Sequence, residues 1–66
     1  MSNTDKVKEL VSIIRNSSDD MVMKATLEPV LQAELPFQTK VTWTDNTANI
    51  YVEESVGNMV LLSIDL

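Results

Sequence analysis

Several groups of side chains in this sequence are of types that do chemistry, and each also has a structural use. Asp19-Asp20 and Glu53-Glu54 are adjacent carboxylate pairs, the residue type of general acid–base catalysis. Asp45, Asn46, Thr47 and Asn49 offer closely spaced oxygen donors of the kind that hold calcium. Ser12, Ser17 and Ser18 with Lys24 allow a Ser–Lys nucleophile on paper. Phe37, Trp43 and Tyr51 offer aromatic faces on which nucleic-acid bases stack.

The structural use is the better explanation of most of these groups. Asp19-Asp20 follows Ser18 at a helix start, where the dipole favours acids. Glu53-Glu54 lies at a strand end, where neighbouring side chains point to opposite faces and share no proton. Asp45-Asn46-Thr47 lacks the acid count and the glycine of an EF-hand and reads as a hairpin turn. Hydroxyls at helix boundaries are caps far more often than nucleophiles. The chain contains no Cys and no His, which removes Cys–His and Ser–His catalysis and the usual ligands of zinc, copper and iron–sulfur clusters. One glycine in the whole chain leaves no phosphate-cradling loop. No catalytic residue, metal or cofactor is expected.

The elements that must position these residues can be read from hydrophobic spacing. Val7, Leu10, Val11 and Ile14 recur at the helical period, predicting a helix over 4–16 with Thr4 as N-cap and Arg15 in the last turn. A second helix is predicted over 19–28, with Met21, Val22, Ala25 and Leu27 inward and an end or kink near Glu28, because Pro29 is unfavourable in a helix interior. A separate short helix from Thr26, burying Val30, Leu31 and Leu35, and a strand at 21–27 are the alternatives. After Pro36 the period changes to two. Strands are predicted over 37–44, 48–53 and 59–66, joined by turns at Asp45-Asn46-Thr47 and around Gly57. The expected fold is therefore α+β: one or two N-terminal helices packed on a three-stranded antiparallel β-meander, in a single domain over 1–66.

The third strand departs from clean alternation. Val60, Leu62, Ile64 and Leu66 line one face, while Met59 and Leu61 begin the other. Either it is a central strand covered twice, or one face meets another subunit. Tyr51 and Glu53 of the second strand share the face of Met59 and Leu61, and these four residues form the expected protein interface. A chain of 66 residues buries only about 60% of its unfolded surface, and one core of this size supplies roughly 3–5 kcal/mol. Without disulfides or metal, unusually good packing or association with another chain remains as the stabilising device, and a homo-oligomer is expected.

Charge narrows the partners. The net charge is −5, of which residues 41–66 carry −4 with no basic residue at all. Phosphate binding needs clustered Lys and Arg, so direct binding to nucleic acid is not expected. No stretch reaches the roughly 18 apolar residues of a membrane span, and the polar start does not read as a signal peptide, so a cytoplasmic location is expected. The functional expectation is a non-enzymatic protein-interaction module, a homodimer that binds or inhibits another protein, of a composition often met in phages and mobile elements. The alternatives are a structural subunit of a larger, for example viral, assembly and an acidic mimic of nucleic acid.

Overall fold

The computed structural model describes residues 2–66. Two helices, α1 (Asn3–Ser17) and α2 (Asp20–Glu34), precede three strands, β1 (Thr39–Thr44), β2 (Thr47–Ser55) and β3 (Asn58–Asp65). The strands form one antiparallel sheet in the order β1-β2-β3, the α+β meander expected from the spacing. Among the described residues no helix is long and apolar enough to cross a membrane.

In α1 the apolar stripe behaves as its period requires, burying Val7, Val11 and Ile14. Its cap is Ser2, not Thr4: the Ser2 hydroxyl accepts the Asp5 N–H at 3.1 Å, and Thr4 stands inside the first turn. The cap of α2 is Asp19, whose carboxylate accepts the Val22 N–H at 2.9 Å.

The largest departure from expectation is the length of α2, which runs through Pro29 to Glu34. Proline deprives the Ala25 carbonyl of its helical donor and crowds it, at a cost of about 3 kcal/mol in a helix interior. Two features offset this. Pro29 and Ala25 lie on the exposed side, where water can reach the orphaned carbonyl. The residues actually buried are Met23, Leu27 and Leu31, a stripe at every fourth position that Pro29 does not interrupt. Fully burying Leu31 beyond the proline is worth roughly 1.5–3 kcal/mol, comparable to the penalty. The inward face expected from Met21, Val22 and Ala25 is therefore wrong. Met21 is 82% exposed, and Val22 and Ala25 are exposed with it.

The strands differ from expectation only at their ends. Phe37 and Gln38 precede β1, β2 is longer at both ends than 48–53, and Leu66 lies just beyond β3. Asp45 takes a positive φ of 52° in the first turn, and Gly57 one of 81° in the second. A Cβ on Gly57 would meet no atom within 4 Å, so the requirement there is backbone freedom rather than space.

Register places Thr39/Val52/Val60, Val41/Ile50/Leu62 and Trp43/Ala48/Ile64 in three rows on one face. Both helices pack on that face, α2 over β1 and α1 over β2. The core lies between, with Ile50 and Val52 fully buried beneath Val7, Val11, Met23, Leu27 and Leu31.

Replacing Pro29 with alanine restores the amide donor to Ala25 while leaving the buried stripe intact. Pro29→Ala is expected to raise unfolding stability by about 2 kcal/mol, less than the full penalty because the unfolded chain gains freedom. Urea denaturation checks this, and a loss of stability would mean that the proline terminates strain rather than introducing it.

Candidate protein-interaction surface

The groups considered for chemistry are dispersed by the fold. The Glu54 carboxylate accepts the backbone N–H and the hydroxyl of Thr4, the latter at 2.6 Å, and so ties β2 to the start of α1. Neighbouring Asn3 donates its side-chain amide to the Glu53 carbonyl. Strand pairing shifts register between Glu53 and Ser55, so Glu54 sits at the irregularity, a position that commonly re-aims a side chain. The Glu53 carboxylate turns elsewhere, toward the Gln38 N–H. The two acids thus serve separate contacts. Asp19 is occupied as a helix cap. Asn46 accepts from the Lys24 ammonium at 2.7 Å, so its side-chain oxygen is engaged by a cationic side chain. Thr47 donates to Asp65 at 2.7 Å, and Ser17 donates to the carbonyl of Ile13. Among the described residues no three His, Cys, Asp or Glu side chains converge as a metal site would require.

The sheet has a second face, which no element among the described residues covers. It carries Lys40, Thr42 and Thr44 from β1, Asn49, Tyr51 and Glu53 from β2, and Met59, Leu61, Ser63 and Asp65 from β3. Its apolar side chains gather on the β2–β3 side, where Tyr51 stands opposite Leu61 and Glu53 opposite Met59. Tyr51, Met59 and Leu61 are 37%, 45% and 53% exposed. A shallow depression between Lys40, Thr42, Tyr51 and Met59 marks the middle of this face. The four residues expected at an interface, Tyr51, Glu53, Met59 and Leu61, are therefore neighbours on one bare surface.

β3 is an edge strand, so the alternative of a central strand covered on both sides is excluded. It also extends past the helical layer: on its inner face Val60 remains 42% exposed. Val56 at the adjoining turn projects entirely into solvent.

The two edges of the sheet are finished differently. In an antiparallel ladder, opposed residues alternate between pairs that exchange hydrogen bonds and pairs that do not. The Glu53 N–H donates to the Gln38 carbonyl, so the odd-numbered residues of β2 bond toward β1. The Leu66 N–H donates to the Asn46 carbonyl, so the even-numbered residues of β2 bond toward β3. It follows that Thr39, Val41 and Trp43 point their amides and carbonyls off the β1 edge. Met59, Leu61, Ser63 and Asp65 point theirs off the β3 edge.

At β1 two of these groups, the Val41 amide and the Thr39 carbonyl, are taken by α2. The Glu28 carboxylate accepts the Val41 N–H at 2.7 Å, and the Gln32 amide donates to the Thr39 carbonyl at 3.2 Å. Along β3 no such cover is present among the described residues, and Asn58 to Ile64 contains no charge and no proline, the devices that usually blunt an edge. Sequence reasoning found the apolar strand but not the plug, because Glu28 and Gln32 read as ordinary helix-surface residues until the fold sets α2 beside β1. Comparison with protein-family models, with curated proteins and with solved structures finds no match to the chain.

Two predictions follow from these contacts. The Thr4 hydroxyl, and then its backbone N–H, hold the Glu54 carboxyl below its usual value of 4.5, against a smaller opposing effect of desolvation. A carboxyl lowered by folding contributes stability that is present above the usual value and lost as pH falls through the lowered one. Wild type should therefore lose more stability than Glu54→Gln between pH 6 and pH 3 in parallel urea titrations, and equal losses would mean that the contact does not favour the ionised form. At the β1 edge, Glu28→Ala combined with Gln32→Ala should give particles whose mass in light scattering grows with concentration, as both edges become open. An unchanged mass would show that those two side chains are not what closes β1.

Proposed function

We propose that this chain is a non-enzymatic protein-interaction module that associates with a second copy of itself through β3 and the adjoining outer face. The observation that carries this reading is the apolar patch of Tyr51, Met59 and Leu61 beside a sheet edge with unsatisfied backbone groups. Edges of this kind are templates for pairing with another chain. The contacts of Asp19, Lys24, Asn46, Thr47 and Glu54 support the same reading, since each of these side chains is engaged in a cap, a turn or a tie between elements.

The alternative of an open structural assembly gains no support from the edges. Head-to-tail growth needs a second acceptor edge, and β1 is occupied by Glu28 and Gln32. A closed pair fits one open edge.

Leu61 separates association from folding, because its side chain is exposed and lies outside the core. Leu61→Asp should reduce the mass observed by light scattering from two chains to one, with thermal unfolding still cooperative. Wild-type mass equal to one chain up to millimolar concentration, or Leu61→Asp with the wild-type oligomeric state, would overturn the assignment of this surface.

A further inference from the structure

Resting on that reading, we propose that two copies join edge to edge through β3, in antiparallel register about a two-fold axis at Leu62, to form one continuous six-stranded sheet. The pairing follows from which backbone groups are free. Met59, Leu61, Ser63 and Asp65 direct their amides and carbonyls outward, so only these residues can form the hydrogen-bonded pairs of a new ladder. Opposed residues of an antiparallel pair also place their side chains on the same side of the sheet. Both conditions require odd residues to face odd residues, which leaves two central registers, one with Leu62 on the axis and one with Leu61.

The Leu62 register is the better match. It sets Val60 opposite Ile64 of the second copy and Leu62 opposite Leu62 of the second copy, so the inner apolar row runs unbroken across the join. On the outer side Leu61 meets Ser63 of the second copy, and Met59 meets Asp65. No carboxylate then faces a carboxylate. The Leu61 register would instead oppose Ile64 to Asn58, interrupting the row.

The helices permit this closure. Because α1 lies over β2, the two α1 helices would stand over strands three spacings apart, about 14 Å. Packed helices need only about 8–10 Å. The gap is bordered in each copy by Lys8, Ser12 and Arg15 of α1 beside Ile64 of β3. A face-to-face sandwich would leave the free groups of β3 unpaired, and so satisfies fewer of them. Pairing along one strand buries less than the roughly 800 Å² per partner of a standard interface, so dissociation on the order of micromolar is expected.

The experiment combines sedimentation or light scattering over nanomolar to millimolar protein with single-cysteine cross-linking. The chain has no cysteine of its own. Ser63→Pro removes an outward amide that the monomer does not use, and edge strands tolerate proline at such positions. It should remain folded by circular dichroism yet stay a monomer throughout. Ser63→Ala, which loses the same hydroxyl but keeps the amide, should dimerise like wild type. Leu62→Cys should cross-link on mild oxidation, since unbonded cross-strand pairs bring α-carbons to about 4.5 Å, within disulfide reach, whereas Leu61→Cys should not. Cross-linking at Leu61→Cys alone would overturn the Leu62 register. A dimer that persists in Ser63→Pro and is lost in Leu61→Asp would overturn edge pairing while upholding association through the outer face. A monomeric wild type would overturn both.

Discussion

The hydrogen bond from the Val41 amide to the Glu28 carboxylate governs much of what this chain leaves exposed. It anchors α2 against the margin of β1, with Gln32 holding the neighbouring carbonyl of Thr39. A charge-assisted bond of this type contributes about 1.5–3 kcal/mol when made, and an unmade amide in the same half-buried position would cost a similar amount. Once α2 is committed to the β1 side, α1 packs over β2, and the two-helix layer covers β3 only in part. The exposure of Val60 on the inner face is the consequence of that offset, whereas Met59 and Leu61 are exposed because both helices pack on the other face.

The same placement explains how much of the molecule is legible in the sequence. Local periodicity sufficed for α1 and for all three strands, because Val7, Val11 and Ile14 follow one period and Val41/Trp43 and Ile50/Val52 follow the other. It failed at Pro29. The local penalty of a proline is real, yet the decision was made by burial of Leu31, a contact with the sheet that no window of sequence contains. Caps misled in a smaller way. Thr4 has the residue type of a cap, but Ser2 performs that role, and Thr4 is used by Glu54 from fifty residues away.

The proposed interaction surface was legible to a similar degree as a set of neighbours, not as an interface. Tyr51, Met59 and Leu61 could be assigned to one face from alternation alone, and register makes them neighbours. Which edge is open could not be read, because the plug is built from two helical side chains whose spacing, Glu28 to Gln32, is that of any exposed helix face. A sequence signal for it exists only after the strand order is known. A polar pair one turn apart, on the helix that borders an edge strand, is then a candidate for closing that edge.

The contrast between the two edges bears on how a domain of 66 residues can be stable at all. Among the described residues its core rests on nine buried apolar side chains, and there is no disulfide to constrain the unfolded chain. Two helices cannot roof three strands when one of them is held to the margin, so one strand must stay half-covered. Apolar residues on that strand gain little in the isolated chain: Leu61 and Met59 are about half exposed and touch mainly their own sheet. Polar or charged residues there would cost the monomer little and would suppress unwanted pairing, as they do in other sheets. An apolar β3 is therefore poorly accounted for by the stability of one chain, whereas in the proposed paired sheet Val60, Leu62 and Ile64 extend the inner apolar row and the outward amides gain partners. On the proposed reading, the edge that is guarded and the edge that is bare together leave room for one neighbour and no second.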